Sequence, residues 1–210
     1  MTEIILARHG ETEWNKAEIF RGQIDVALND TGIKQAELLG EYLSQKKIEA
    51  IYSSPLKRAL KTAESIASHH HLSVEITTGL IDLNFGQWQG LPVQEVKKQY
   101  KELYNEWIRF PHQVKIPQGE SLDDVRQRAS GLVDNVIAKY KGTVIMVSHR
   151  VVNKVLICAL LGMDNSHFWQ LRQDNCGITT FICENGQFIL TEHNNTSFLK
   201  PLLKKRLSDF

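Results

Sequence analysis

Two short apolar runs constrain this chain more than any other feature, because each ends abruptly at a histidine. Ile4-Ile5-Leu6-Ala7 leads into Arg8-His9-Gly10, and Thr143 to Val147 leads into Ser148-His149-Arg150. An unbroken apolar run closed by a turn residue reads as a buried strand that stops sharply. In α/β proteins, ligands bind in the crevice at the carboxyl ends of parallel strands. A lone Arg-His pair would read as surface after an edge strand. Two strand-end histidines, one with an arginine beside it, read as the start of a site.

The segments between these runs alternate in type. Asn29 or Asp30 caps a helix to about Lys46, with Ile33, Ala36, Leu39 and Leu43 on one face. Ile48 to Tyr52 is a strand. Ser54 and Pro55 then read as the N-cap and first position of a helix whose apolar stripe runs from Leu56 to Ala67, with Arg58 off that stripe. Leu72 to Thr77 is a strand, and Leu80 to Leu91 is a loop rich in turn residues. Val93 to Arg109 is one polar, aromatic-bearing helix, and Ser121 with Asp124 closes a capping box on another. A helix follows His149 to Gly162. A hairpin turning at Asn185-Gly186 ends the ordered pattern, and 200–210 is a basic, peripheral tail. Strands alternating with helices predict an α/β three-layer fold with a mostly parallel central sheet, as one domain over 1–210.

The totals exclude several classes. Basic and acidic residues nearly cancel, 25 against 24, so nucleic acid is not the expected partner. No apolar stretch reaches the ~18 residues needed to span a bilayer, and the first residues do not form a signal peptide. Cys158, Cys176 and Cys183 are odd in number and widely spaced, which suggests neither disulfides nor a structural zinc site. Buried free thiols in the cytoplasm are the expectation. His69-His70-His71 diverge around a helix end and read as solvated surface; Trp88, Trp107 and Trp169 read as core or rim.

Arg8, His9, Arg58 and His149 together suit a phosphoryl group. Such a group carries about two negative charges at neutral pH. Guanidinium forks match its oxygens, and a helix N-terminus adds unpaired N–H donors. The motifs that carry these residues resemble those of the histidine phosphatase superfamily, the phosphoglycerate-mutase-like group. The matching strings are Arg8-His9-Gly10-Glu11-Thr12, Ser53-Ser54-Pro55-Leu56-Lys57-Arg58-Ala59, Val147-Ser148-His149 and Leu80 to Gly90. They occur in the family's order and cover nearly the whole chain.

The resemblance implies a phosphomonoesterase acting on a small phosphorylated metabolite. His9 would be the nucleophile that becomes phosphorylated, Arg8 and Arg58 the phosphate clamps, and His149 the second pocket histidine, acting as a cation. Asn15 would touch the phosphate, and Arg21-Gly22-Gln23 would line the pocket. Charge compensation from these residues makes a metal or other cofactor unnecessary. The family's acid/base is a glutamate; here the frame puts Asp82 there, one methylene shorter. Arg150 is a second departure, where a glycine or another small or polar residue is usual. It either adds a cation to the site or points to solvent.

Two other readings stay open. A phosphoglycerate mutase would use the same chemistry, but the arginine and tyrosine of the mutases' Glu-Arg-His-Tyr-Gly segment are missing from Asp82-Leu83-Asn84-Phe85-Gly86. A weakened member could serve as a phosphate-binding regulatory protein. Among phosphatases, Gln118 to Leu122, Phe168-Trp169 and Asp174-Asn175-Cys176 resemble both α-ribazole phosphatases and metal-independent phosphoserine phosphatases; broad-specificity sugar phosphatases are not excluded. A homodimer is compatible with the reading, and the sequence does not fix it.

Overall fold

The computed structural model describes residues 1–202, so most of the expected basic tail lies outside the described residues. Leu202, at its start, is half-buried against the core. In chain order the elements are β1 (Thr2–Arg8), α1 (Glu13–Lys16), α2 (Asp30–Leu43), β2 (Ile48–Ser53), α3 (Lys57–Ala67), β3 (Val74–Ile76), α4 (Val93–Gln99), α5 (Lys101–Arg109), α6 (Leu122–Lys139), β4 (Thr143–Ser148), α7 (Arg150–Leu160), β5 (Ile178–Glu184) and β6 (Gln187–Asn195). The sheet order is β3-β2-β4-β1-β5-β6. The first four strands are parallel, and β5 and β6 add an antiparallel edge. This is the expected α/β architecture.

The sheet is covered on both faces, which explains why its central strands are apolar without alternation. Ile4 and Leu6 of β1 face a core shared with α6 and α7, and Ile5 and Ala7 face a core shared with α2 and α3. β4 repeats the pattern: Val144 and Met146 face one way, Ile145 and Val147 the other. β1 and β4 are neighbours in register, Arg8 opposite Ser148. Their carboxyl ends are therefore level, and the residues that follow, His9 and His149, emerge side by side.

Several local expectations need correction. Helix α2 ends at Leu43, and Ile33 is exposed. The buried face runs instead through Gly32, Ala36, Leu39, Gly40 and Leu43. Gly32 faces inward because the chain at Gly10 and Glu11 lies against it; a Cβ on Gly32 or Gly10 would collide with that backbone. The helix expected over Val93–Arg109 turns at Tyr100, whose φ of −123° and ψ of 40° are not helical. Tyr100 still donates to Val96 and accepts from Tyr104, so the turn breaks no ladder bond there. β3 is only three residues, pairing with β2 alone. Helix α3 starts at Lys57 with Leu56 as its N-cap, later than expected; Ser54 Oγ still accepts from the Leu56 N–H at 3.3 Å while it also meets His149. The capping box on α6 and the Asn185-Gly186 turn are as expected, with φ of 51° and 77° across the turn. Among the described residues no helix is long and apolar enough to cross a membrane.

Candidate active site

Three strand ends build the site. The His9 N–H donates to the Ser148 carbonyl at 3.0 Å, and the Ser54 N–H donates to the Val147 carbonyl at 3.1 Å. These bonds extend the β1–β4 and β2–β4 pairings one residue beyond the sheet. They bring His9, His149 and Ser54 together, all three buried. The two imidazoles lie 5.2 Å apart between centroids, tilted by 57°. His9 Nδ1 is 2.6 Å from the Gly10 carbonyl, and His149 Nε2 is 2.8 Å from Ser54 Oγ.

Burial holds the His9 pKa well below the usual histidine range, and Arg58, His149, Arg8 and Arg21 push it the same way. All of these causes favour the neutral form of His9. His149 is lowered in the same way, by burial first and then by Arg58, Arg21, Arg128 and Arg8. These causes favour the neutral imidazole over the cation that the resemblance implies, and Ser54 orients the ring.

Arg58 sits in the first turn of α3 and is fully buried. Its Nη2 donates to the Gly22 carbonyl at 2.7 Å and lies 3.3 Å from Asp82 Oδ2, while Nη1 donates to the Ile24 carbonyl at 2.9 Å. Arg8 donates from Nη1 to the Gln173 carbonyl at 2.7 Å. Burial, with Arg150 and Arg21, lowers the Arg8 pKa to about 9, which still leaves it charged at neutral pH. Asp82 is buried; its Oδ1 accepts from the Leu83 N–H at 2.9 Å, and its Oδ2 also lies 3.7 Å from His149 Nδ1.

Above this cluster opens a cavity of about 420 Å³, with Arg8, Asn15, Arg21 and Arg150 on its wall together with Trp14, Phe20, Tyr104, Trp107 and Trp169. Asn15 Oδ1 accepts from the Thr12 N–H and hydroxyl, which leaves the amide hydrogens for a ligand. Gly22 and Gln23 brace the site from behind. The Gly22 carbonyl holds Arg58, and Gln23 Nε2 donates to the Asp82 carbonyl at 3.1 Å. A side chain at Gly22 would strike Gln89 and the Leu83 carbonyl, and its φ of +52° also favours glycine. Four buried nitrogens of this cluster, Arg8 Nε, Arg21 Nε, Arg58 Nε and His149 Nδ1, have no hydrogen-bond partner among the described residues. Buried donors are normally paired. Four together mark a place built for an oxyanion.

Some contributors act across long stretches of chain. Thr62 Oγ1 accepts from the Gly10 N–H at 3.1 Å and donates to the Arg58 carbonyl at 2.8 Å, linking both flanks of the site. Asn175 Nδ2 and the Cys176 N–H both donate to the His9 carbonyl, at 3.2 and 3.3 Å. Arg128 Nη2 donates to the Asp82 carbonyl at 3.2 Å and its Nε pairs with Glu120 at 3.0 Å. His69 and His71 are exposed and His70 is half-buried, away from these groups.

The sequence profile of the histidine phosphatase superfamily (branch 1) matches residues 4–196. Phosphoserine phosphatase 1 of Hydrogenobacter thermophilus is 38% identical over 200 residues, covering 95% of each chain. The structure of a phosphoserine phosphatase from Entamoeba histolytica, in complex with 3-phosphoglyceric acid, is 34% identical with a TM-score of 0.84, covering 95% of this chain and all of that one. The α-ribazole phosphatase of Shigella flexneri is 26% identical with a TM-score of 0.84, covering 92% of this chain and 96% of that one. Matched from β1 through β6 and similar throughout to phosphatases, this chain belongs to the histidine phosphatase superfamily and is a phosphoric monoester hydrolase.

Proposed function

We propose that the chain hydrolyses a small phosphorylated metabolite in two displacements through a phosphohistidine on His9, with phosphoserine the first candidate substrate. The observation that carries the reading is the set of unpaired buried nitrogens on Arg8, Arg21, Arg58 and His149 around a neutral His9. His9 Nε2 attacks phosphorus, and the ester oxygen leaves. Arg8, Arg21, Arg58 and the Asn15 amide take the charge that spreads over the equatorial oxygens. Asp82 protonates the leaving oxygen and then takes a proton from the water that attacks phosphohistidine. His149, neutral at rest, donates a hydrogen bond from Nδ1.

The relatives named for phosphoserine support that substrate, and the missing arginine and tyrosine in Asp82 to Gly86 speak against a mutase. Purified protein offered phosphoserine, 3-phosphoglycerate, α-ribazole phosphate and sugar phosphates should release inorganic phosphate, with phosphoserine preferred and activity kept in EDTA. Efficient conversion of 3-phosphoglycerate to 2-phosphoglycerate would replace this reading with the mutase. Stoichiometric phosphate binding without turnover would replace it with the regulatory protein.

A further inference from the structure

Charge at the cavity is not balanced. Its wall carries Arg8, Arg21, Lys97 and Arg150 against one acid, Glu18. Arg58 beneath has Asp82 as its counter-ion. Arg8, Arg21 and Arg150 have no carboxylate within ion-pair distance among the described residues. A phosphomonoester supplies about two negative charges. Arg8 and Arg21 offset those, and Arg150 remains.

Arg150 is the first residue of α7, immediately after His149, so the fold places it beside the phosphate pocket and on the cavity wall. Its side chain reaches the surface, unlike the buried Arg8 and Arg58, and the protein around it lowers its pKa by desolvation, against the pull of Asp82 and Tyr104. One turn further along α7, Lys154 is buried with Nζ 4.7 Å from the Phe168 ring centroid and 4.9 Å from that of Trp169. Burial, Arg150 and Arg8 lower the Lys154 pKa to about 8. Cations crowded on one side repel one another. A substrate carrying a further negative group relieves that repulsion, and a neutral alcohol does not.

We propose that Arg150 is a specificity-determining residue that pairs with a carboxylate on the alcohol portion of the phosphomonoester. The proposal rests on the phosphomonoesterase reading above. A guanidinium fork accepts a carboxylate through two parallel hydrogen bonds. One surplus fork on the cavity wall matches one carboxylate; Lys154, the next cation along α7, is buried over the Phe168 and Trp169 rings and is not on that wall. Lys97, on α4, lies 5.5 Å from the Tyr104 ring centroid and adds to the positive field without a fork.

The test compares substrates that differ only in this group: phosphoserine against phosphoethanolamine, and 3-phosphoglycerate against glycerol 3-phosphate. The protein should prefer the carboxylate-bearing member of each pair in kcat/KM. Arg150→Gln should shrink that preference by about 10- to 100-fold, chiefly through KM, the size expected for hydrogen bonds to a charged group. Arg150→Lys, which keeps charge and loses the fork, should fall between the two. Circular dichroism and Tm would show that both variants fold. An undiminished preference in Arg150→Gln overturns the proposal while leaving the phosphatase reading standing. A stronger preference for a bisphosphate, lost in the same variant, would assign Arg150 to phosphate instead and also overturn it. Failure of the wild-type protein to turn over any of these esters or p-nitrophenyl phosphate rejects the phosphatase reading, and this proposal with it.

Discussion

His9 Nδ1 lies 2.6 Å from the carbonyl oxygen of the next residue, Gly10. A carbonyl only accepts, so the ring proton resides on Nδ1 and Nε2 keeps its lone pair. The contact sets the tautomer that the proposed attack on phosphorus requires. A labelled substrate quenched without acid should trap phosphate in a linkage stable to base and labile to acid. His9→Ala should abolish the trapped label and cut turnover by more than about 10³-fold, as loss of a covalent nucleophile does elsewhere. Turnover at the wild-type rate in that variant would remove His9 from the role.

Neutral burial of His9 and His149 should also show in stability. Both folded pKa values lie well below the ordinary 6.5. Below that pH the unfolded chain therefore binds more protons than the folded one, and stability falls as pH falls. Above 6.5 neither state takes up a proton at these positions, and their contribution is constant. Tm measured from pH 8 down to pH 5 should hold and then decline below about 6.5. The decline should be shallower in a His9→Ala/His149→Gln double variant. An identical acid slope in both proteins would mean that the histidines do not carry it.

Thr62 offers a test away from the reacting atoms. Its hydroxyl accepts from the Gly10 N–H and donates to the Arg58 carbonyl. Thr62→Val keeps the shape and strands the Gly10 donor in a buried place. The expected cost is about 1–3 kcal/mol of stability, the penalty for one unpaired buried group. Because the freed segment carries His9, kcat should fall as well, with KM less affected. Denaturant unfolding and steady-state kinetics would check both, and a stability change below about 0.5 kcal/mol would show that the bond contributes little.

What could be read from residue order was whatever depends on near neighbours. The apolar runs before Arg8 and before Ser148 announce buried strands, and the histidines that follow are legible as strand-end groups. The Ser121–Asp124 cap and the Asn185-Gly186 turn are equally local. Arg58 was placed off the apolar stripe, yet it is wholly buried. Hydrophobic periodicity cannot register a charge that is buried for a ligand and held by Gly22, Ile24 and Asp82. Ser54 reads as a helix cap and does accept from the Leu56 N–H, but its other partner, His149, is 95 residues away. Ile33 was assigned to the core because it is apolar, whereas backbone contact with Gly10 and Glu11 turns Gly32 inward. Thr62 and Arg128 act through partners distant in the chain, and no spacing rule reaches them; the Asp174-Asn175-Cys176 string is legible, but its contact with His9 is not.

Asp82 is where the chain departs from the glutamate of the family frame, and its surroundings make the departure testable. Oδ1 is held by the Leu83 N–H, while Oδ2 faces Arg58 and His149. The Asp82 backbone is pinned by Gln23 and Arg128, so the shorter side chain sits on a fixed base. If Asp82 protonates the leaving oxygen, its loss should matter most when that oxygen is strongly basic. An alkyl phosphate leaves as such an alkoxide, whereas a nitrophenyl phosphate leaves as a stabilised phenolate. Asp82→Asn keeps size and an acceptor for Arg58 and removes the proton. It should slow phosphorylation by the alkyl ester by about 10²–10⁴-fold, the usual worth of general acid catalysis, and largely spare phosphorylation by the aryl ester. Single-turnover kinetics must separate the steps, because the proposed mechanism also has Asp82 activate water in the second one. Asp82→Glu, which restores the longer side chain, should retain turnover. Equal slowing of both esters in Asp82→Asn, or slowing of neither, would exclude Asp82 as the acid and pass the role to His149, whose Nδ1 is 3.7 Å from the same carboxylate.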